Sequence, residues 1–354
     1  MTETSTVSKE LSAAEIRAAR ADNPKMRDRD FADKMGISEA QLVAAYVGVK
    51  ATRIAGDMDS IMPELEKLGE VMALTRNESC VIEKVGEYGN FTPGKHAGLV
   101  VNEEIDLRMF PSRWVHGFAI EEETEGGMRR TIQVFDAAGD AVHKVFLRDG
   151  SNAEAWPGVV AALKIEDQSD TLAVEPREPV EPAKGDPAKA DTLRAEWDKL
   201  TDTHQFLMLT RKMKMNRLGA YRMAGAPYAR RLHNETVEKL LHRAAERAVP
   251  IMVFVGNQGC IEIHTGPINK VAEMGPWINV LDPGFNLHLR RDHVAEVYAV
   301  TKSTKRGDAI SIEAFDARGY LIAQFFGVLR EEGAAEKWNA LVAEFDTLEE
   351  AATA

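Results

Sequence analysis

Cysteine is almost absent from this chain, because only Cys80 and Cys260 occur among its 354 residues. Two isolated cysteines are too few for a thiolate zinc site or for a disulfide scaffold. Both lie in apolar segments of strand length, Ser79 to Ile82 and Gly259 to Glu262. We therefore predict two buried free thiols rather than ligands or a redox pair.

Long hydrophobic runs are also missing, since no apolar stretch is long enough to cross a bilayer. The first 15 residues are polar and of mixed charge, without the apolar core of a signal peptide. The chain has no HExxH zinc motif, no P-loop and no dinucleotide fingerprint. A formal net charge of -12 argues against a protein that coats nucleic acid. These features predict a cytoplasmic protein without membrane insertion.

What the sequence does contain is a helical beginning followed by many short strands. The pattern is helical to about Gly48, and short apolar runs separated by glycines then extend from Val71 to Leu147. Successive strands bounded by turns indicate an antiparallel sheet. Residues 156–163 predict a closing helix, and the proline-bearing stretch 166–191 predicts an extended linker.

The same order returns after the linker, so the sequence contains an internal repeat. Asn77 to Cys80 matches Asn257 to Cys260, and Phe135 to Ala137 matches Phe315 to Ala317, each at an offset of 180 positions. A shared offset over separated matches indicates duplication of one module. We predict an α+β fold in which each copy has N-terminal helices, a large antiparallel β-sheet and a closing helix. The predicted domains are an N-terminal repeat at 1–165, a linker at 166–191 and a C-terminal repeat at 192–354.

One histidine precedes a cationic stretch in the second copy only. His204 opens a predicted helical run through Arg217, and seven Arg or Lys residues but no acidic residue occur between Arg211 and Arg231. A neutral imidazole can bind a metal, and Arg groups grip carboxylates in a bidentate manner. Together they suit a flat iron-bearing ligand with acidic tails, such as haem. The alternative is a helix-capping histidine beside a solvated basic face.

Two residues of the first copy suggest the other side of a planar ligand. In a strand over Leu107 to Phe110, side chains alternate, so Arg108 and Phe110 share a face. A cation beside a ring can cover one side of such a ligand. The alternative is a surface arginine next to a phenylalanine at the edge of the core.

A third pattern, at residues 31–42, resembles the helix-turn-helix of DNA-binding proteins. A helix, a turn at Gly36 and Ser38 as the N-cap of the next helix produce the spacing. The positions that would meet DNA are Glu39, Gln41 and Val43, and they form no basic recognition face. DNA binding by this segment is therefore kept only as an alternative.

Three longer blocks carry a family resemblance: residues 202–206 (DTHQF), residues 277–289 (WINVLDPGFNLHL), and Glu313 to Asp316 followed by Gln324 to Gly327. They resemble the cytoplasmic hemin-degrading and hemin-trafficking family known as HemS, HmuS or ChuS. The resemblance extends over nearly the full chain, including the duplication and the linker. It implies haem bound between the two halves of the protein.

The resemblance also implies a role for individual residues. His204 matches the axial ligand of the haem iron, and Arg108 with Phe110 matches the catalytic pair on the opposite, distal side. The remaining matches concern contacts to the haem propionates and the surrounding ring packing, namely Arg217, Lys302, Gln324 and Phe326. Phe326 stands where the family usually has tyrosine, so a hydroxyl donor is missing while the ring is kept.

The implied activity is oxidative opening of haem with release of iron, which needs dioxygen and an external reductant. A haem chaperone that uses the same site without turnover is the alternative, and a haem-responsive DNA-binding protein is a further one. Implied partners are haem, a haem uptake transporter, a haem-accepting protein and an electron donor. Nucleic acid is not an expected partner.

Overall fold

The structure is a computed structural model that describes residues 11–305, 307–328 and 333–348. The described residues fall into two compact units. The first unit contains the described residues within 1–73, 87–99 and 109–177, and the second contains those within 74–86, 100–108 and 178–354. Two segments from the N-terminal half of the chain therefore belong to the second unit.

Helices occur before, between and after the strands. Among the described residues the α-helices are α1 (Ala13–Ala21), α2 (Asp28–Met35), α3 (Glu39–Ala44), α4 (Met58–Leu65), α5 (Trp156–Leu163), α6 (Ala190–Trp197), α7 (Gln205–Met213), α8 (Arg217–Ala224), α9 (Thr236–Glu246) and α10 (Ala334–Ala343). Short 3₁₀ turns cover Glu66–Leu68, Pro111–Arg113, Pro187–Lys189 and Arg291–His293.

Strands form the larger part of the architecture. They are β1 (Ala51–Ile54), β2 (Gly69–Arg76), β3 (Cys80–Glu87), β4 (Gly98–Val101), β5 (Asp106–Met109), β6 (His116–Thr124), β7 (Gly127–Phe135), β8 (Ala141–Ser151), β9 (Ala229–Leu232), β10 (Ile251–Gly256), β11 (Cys260–Gly266), β12 (Val271–Met274), β13 (Trp277–Asp282), β14 (Phe285–Arg290), β15 (Glu296–Thr304), β16 (Gly307–Phe315) and β17 (Leu321–Gly327).

The first unit is built on neighbouring strands in the order β1-β6-β7-β8-β2. Its strands alternate between buried and less buried residues, as in β2, because one face of the sheet is covered. Phe118 and Phe135 pack edge to face at a centroid distance of 5.9 Å within a core that also contains Ala40 and Ala44 of α3. The antiparallel pairing is the arrangement that the sequence predicted.

The second unit holds two layers of strands. One has the order β3-β14-β13-β12, and the other runs from β5 through β11, β10, β17, β16 and β15 to β9. Residues of both layers share one buried core, for example Ile82 of β3, Val253 of β10 and Phe325 of β17. Helices α6, α7 and α8 form a second core with the opposite face of β15 and β16, through Trp197, Phe206 and Tyr298 among others.

The duplication is visible in the detail of the two copies. A register shift occurs at Val134/Phe135 against β8 and at Ala314/Phe315 against β17. In the first copy the Oδ1 atom of Asp136 accepts hydrogen bonds from the backbone of the turn that follows, and Asp316 does the same in the second copy. The predicted α+β fold with an internal repeat is thereby confirmed.

Several local predictions are also confirmed. The closing helix of the first copy spans Trp156–Leu163 as expected. Ser38 caps α3 and forms a capping box with Gln41, while Gly36 ends α2 in a left-handed conformation with φ 68°. Glu39 and Val43 of α3 are buried, however, and Glu39 pairs with Lys144 at 3.1 Å, so these side chains do not form a surface that reads DNA.

Candidate functional site

His204 stands immediately before α7 rather than inside one long basic helix. The predicted helical run is interrupted, because α7 ends at Met213 and Lys214 adopts a left-handed conformation with φ 58°. A new helix, α8, begins at Arg217, and the side chain of Asn216 caps it by accepting from the Gly219 N–H at 2.9 Å. The prediction of a continuous helix was wrong here, and the break orients Arg217 independently of His204.

The His204 ring is held by its neighbour Asp202. The side chain of His204 is 93% exposed, and its Nδ1 atom lies 2.7 Å from Oδ1 of Asp202. The same Oδ1 atom accepts the backbone N–H of His204 at 2.8 Å. These two hydrogen bonds lower the pKa of the Asp202 carboxyl group, so it is ionised at neutral pH. An ionised carboxylate only accepts, so Nδ1 carries a proton, and in the neutral tautomer with this hydrogen bond the lone pair is on Nε2.

Two large apolar side chains share the exposed side of this helix. Leu207 and Met208 follow His204 by three and four positions and are 47% and 63% exposed. Residues at these spacings lie on one face of a helix. An exposed imidazole thus stands beside exposed apolar surface, which is a suitable contact for a flat hydrophobic ligand.

A buried carboxylate, Glu313 on β16, organises the cations near α7. Its Oε1 atom accepts from Lys302 Nζ at 3.0 Å and from Ser311 Oγ at 2.8 Å. Its Oε2 atom accepts from Arg217 Nη1 at 3.0 Å and from Tyr221 OH at 2.8 Å. Each oxygen therefore accepts two hydrogen bonds, and the acceptor capacity of the carboxylate is used.

Burial and charge act against each other in this network. Burial favours the neutral acid, but Lys302 and Arg217 outweigh that effect and lower the pKa of Glu313 to about 2. The pKa of Lys302 is also lowered, because burial and the nearby Arg217 charge together exceed the attraction of Glu313. We infer that Glu313 is a carboxylate and Lys302 an ammonium at neutral pH, since each satisfies the other.

The two cations differ in what they can offer a ligand. Lys302 is only 3% exposed, and its ammonium also contacts Tyr221 OH at 3.1 Å and lies 4.8 Å from the Phe206 ring centre. Arg217 is partly exposed and uses only Nη1 for its hydrogen bonds within the described chain. Its remaining guanidinium N–H groups are thus available to an incoming carboxylate.

Gln324 and Phe326 lie on the same face of β17, next to this network. In register, Gln324 is opposite Glu313 of β16 and Phe254 of β10, and Phe326 is opposite Ser311. Both side chains are half-buried, and the Phe326 ring packs edge to face on Phe254 at 5.2 Å. The structure therefore brings Arg217, Lys302, Gln324 and Phe326 to one face of one sheet.

Arg108 and Phe110 are at the end of β5. Arg108 is half-buried, forms an ion pair with Asp106 and donates from Nη1 to the Leu107 carbonyl at 3.0 Å. Phe110 follows the strand in an extended conformation, so Arg108 and Phe110 alternate with the buried Leu107 and Met109. Their roles opposite a ligand remain a prediction.

Sequence reasoning missed three residues of the site: Asp202 as the partner of His204, and Glu313 with Tyr221 as the centre of the cation network. Asp202 was part of the quoted motif, and its position two residues before a histidine was an available signal. Glu313 also belongs to a quoted block, but that block does not indicate its partners, because Tyr221 and Arg217 are 92 and 96 positions away. Ordinary strand alternation gives no indication of a buried anion.

The structure also shows a rival cluster of metal-ligand type. Glu238 and His242 of α9 and Glu273 of β12 bring their ligand atoms within 4.8 Å of one another. Arg291 already donates to Glu238 at 2.9 Å and to Glu273 at 2.7 Å. Both carboxylates therefore already pair with one arginine, and the cluster is explained as a salt-bridge network.

Comparisons with known proteins identify the family of the chain. A family model described as the haemin-degrading HemS.ChuX domain matches the chain twice, at residues 36–163 and 214–345. The chain belongs to this HemS.ChuX family. The first match contains Arg108 and Phe110, the second contains Arg217, Lys302, Gln324 and Phe326, and Asp202 with His204 precedes the second.

Individual HemS.ChuX relatives are similar over nearly their full length. The hemin transport protein HmuS of Yersinia pestis is 40% identical over 331 residues, which cover 92% of this chain and 94% of the relative. HemS of Yersinia enterocolitica, also described as a hemin transport protein, is 40% identical, with 94% of this chain and 97% of the relative covered.

Solved structures show the same fold. Holo-PhuS, a heme-binding protein from Pseudomonas aeruginosa, matches with a TM-score of 0.90 at 45% identity, covering 96% of this chain and all of that one. The heme degrading enzyme ChuS of Escherichia coli O157:H7 matches with a TM-score of 0.85 at 34% identity, covering 94% and 99% of the two chains. None of the helices in the described part of this chain has the length and apolar character that a membrane span requires.

Proposed function

We propose that this protein binds haem through His204 and opens the macrocycle oxidatively to release iron. The observation that carries the proposal is the exposed imidazole whose Nδ1 is bonded to Asp202, leaving Nε2 free to bind iron. A neutral histidine is a common axial haem ligand and leaves the opposite face of the iron open. The relatives named for hemin transport, heme binding and heme degradation support the same ligand.

The acidic tails of haem fit the cationic side of the site. Arg217 supplies the guanidinium edge for a propionate, and Gln324 adds an amide donor on the neighbouring strand. Lys302 stands behind Arg217 in the hydrogen-bonded network of Glu313 and contributes positive charge. Exposed Leu207 and Met208 would lie against the apolar macrocycle, and Phe326 would add ring packing. Fixing the propionates also fixes which edge of the ring meets the oxidant.

On the opposite side of the ligand we assign Arg108 and Phe110. An arginine on the open face can stabilise negative charge that develops on oxygen, and a phenylalanine excludes water. The reaction also needs dioxygen and an external reductant. The protein's contribution is then placement and electrostatics, while the iron of the substrate carries the oxidative chemistry.

We place this activity in the cytoplasm. Cys80 and Cys260 are buried free thiols, and burial raises the pKa of both, so neither is a reactive thiolate. A chain with free thiols and no disulfide among its described residues fits a reducing compartment. The proposed partners are a haem uptake transporter, a haem-accepting protein and an electron donor.

A haem chaperone without useful turnover is the second candidate. The observation that favours it is that two relatives of 40% identity are described as transport proteins. The exposed position of His204 would also suit transfer of the ligand to another protein. Both candidates use the same residues, so a turnover measurement has to separate them.

Binding is tested by an absorption titration with hemin, comparing the wild type with His204→Ala and with His233→Ala, a change at another exposed histidine of the second unit. We expect a saturable Soret shift in the wild type and in His233→Ala. The same titration should give a lost or displaced band in His204→Ala. Equal spectra for all three proteins would show that His204 does not bind the iron.

Turnover is tested by adding reductant to the haem complex in air, with and without catalase. Bleaching that survives catalase indicates oxidation by oxygen held in the complex. Bleaching that catalase abolishes indicates coupled oxidation by free peroxide and favours the chaperone.

A further inference from the structure

Asp202 contacts the proposed iron ligand His204, and it can influence a bound iron through the imidazole ring. Its Oδ1 atom accepts both the ring Nδ1–H and the backbone N–H of His204, at 2.7 and 2.8 Å. Within the described residues no Lys or Arg lies at ion-pair distance from Asp202, and the two hydrogen bonds from His204 affect its carboxylate more than the more distant charge of Lys305 does. Both hydrogen bonds that the Asp202 carboxylate accepts within the described residues come from His204.

The loop that carries Asp202 is fixed on both sides. The Thr201 carbonyl accepts the Lys305 N–H at 3.1 Å, and the Thr201 N–H donates to the Gln205 side chain at 2.9 Å. The Asp202 carbonyl in turn accepts the Gln205 N–H at 3.1 Å. These bonds fix the backbone on both sides of Asp202, while the side chains of Asp202 and His204 are exposed.

We propose that Asp202 is a positioning residue that fixes the tautomer of His204 and strengthens the imidazole as an electron donor to ferric iron. The inference rests on the proposed role of His204 as the axial ligand. A carboxylate that accepts the Nδ1–H increases the electron density at Nε2, and such outer partners orient metal-bound histidines. A stronger donor stabilises ferric over ferrous iron, so Asp202 lowers the reduction potential of the bound haem.

The consequence is a selective effect on oxidation state. We expect Asp202 to favour the binding of ferric haem over ferrous haem. Reduction of the bound ferric haem then requires a stronger electron donor. Loss of an outer carboxylate typically costs 10- to 100-fold in metal affinity. We therefore expect the ferric Kd of Asp202→Asn to rise about tenfold, with little change in the ferrous Kd. Each tenfold change in the ratio of the ferric Kd to the ferrous Kd corresponds to a change of about 59 mV in the one-electron reduction potential of the bound haem.

The experiment uses the full chain loaded with hemin and compares Asp202→Asn, Asp202→Ala and Asp202→Glu with the wild type. Asparagine keeps an oxygen that accepts the backbone and ring N–H groups but removes the charge, whereas alanine removes both. Asp191→Asn is the matched control, since it removes an exposed carboxylate of the same unit that pairs with Arg194 at 3.1 Å. Measured quantities are the ferric and ferrous Kd, the midpoint potential and the iron–histidine stretching frequency of the ferrous complex.

The expected result is a potential that rises in Asp202→Asn and rises further in Asp202→Ala, with a lower stretching frequency in both. Asp202→Glu should recover part of the wild-type value, and Asp191→Asn should leave it unchanged. An unchanged potential and stretching frequency in both Asn and Ala variants would overturn the inference while His204 remains the ligand. Equal hemin spectra for the wild type and His204→Ala would instead overturn the proposed function itself.

Discussion

The Nζ atom of Lys302 lies 3.0 Å from Oε1 of Glu313, and the two side chains are 4% and 0% exposed. Removing Lys302 leaves the buried Glu313 carboxylate with Arg217 as its remaining cationic partner among the described residues. We expect Lys302→Met to lower the free energy of unfolding by about 3 to 5 kcal/mol. In the double variant Lys302→Met/Glu313→Gln, the cost should be less than the sum of the single costs, with a coupling above about 1 kcal/mol.

Denaturant unfolding of the two single variants and the double variant measures this coupling. Lys239→Met is the control, because Lys239 forms an exposed ion pair with Glu235 at 2.9 Å on α9. An exposed helical pair contributes only about 0.3 to 0.5 kcal/mol. Strict additivity of the Lys302 and Glu313 variants would contradict the network described above.

The fold was more accessible from the sequence than the site was. The repeat, the antiparallel strands and the closing helix at Trp156–Leu163 follow from local signals such as apolar alternation, glycine turns and the Ser38 cap. The break after α7 was not predicted, because a lysine in a left-handed conformation has no sequence signature comparable to glycine.

The site depends on contacts that are distant in sequence. The resemblance supplied candidates such as Arg217 and Lys302, but it did not show that both donate to Glu313. The basic stretch from Arg211 to Arg231 was likewise read as one cationic region. In the structure the basic residues of this stretch form ion pairs with different acidic residues, for example Arg222 with Glu296. The reason is that neighbouring residues of a helix or a strand point in different directions.

A second buried carboxyl group gives a pH-dependent prediction. Burial raises the pKa of Glu262 to about 8, against the opposing effects of Thr75 and Lys84. In the unfolded chain this group ionises near 4.5, so folding is favoured most below that pH and loses stability as pH rises towards 8. Between these two pH values the free energy of unfolding falls by up to about 1.4 kcal/mol per pH unit.

Glu262→Gln should remove that loss. The free energy of unfolding of the variant should be close to that of the wild type at pH 5 and higher at pH 8. Denaturant unfolding between pH 5 and 8 measures the difference, with the exposed Glu246→Gln as a control that follows the wild type. Parallel curves for the wild type and Glu262→Gln would show that Glu262 keeps an ordinary pKa in the folded protein.

A charged substitution on the exposed apolar side of α7 should weaken hemin binding without lowering the stability of the fold. Met208 is 63% exposed, so Met208→Glu should leave the free energy of unfolding within about 0.5 kcal/mol of wild type. If the porphyrin covers this face, the new carboxylate loses its hydration and hemin affinity should fall at least about tenfold. Met274→Glu, at a methionine of β12 that is 60% exposed, is the control and should bind hemin normally. Equal hemin Kd values for the two variants would place the ligand elsewhere.

The last prediction concerns Phe326, at a position where the family resemblance implies a tyrosine. Its half-buried ring lies on the same face of β17 as Gln324 and packs on Phe254 at 5.2 Å. In Phe326→Tyr the ring packing is kept and a hydroxyl donor is added. A hydrogen bond from that hydroxyl to a charged propionate is worth about 1.5 to 3 kcal/mol. We expect hemin to bind about tenfold more tightly or better, with no gain for hemin dimethyl ester, whose tails carry no charge.

Phe254→Tyr adds the same hydroxyl on the adjacent strand and serves as the matched control. It separates a specific contact at position 326 from a general effect of a more polar sheet face. A gain that is equal for hemin and its dimethyl ester, or equal in the two tyrosine variants, would mean that the hydroxyl does not reach a propionate. In that case the role of Phe326 is confined to ring packing, and Arg217 with Gln324 provides the recognition of the acidic tails.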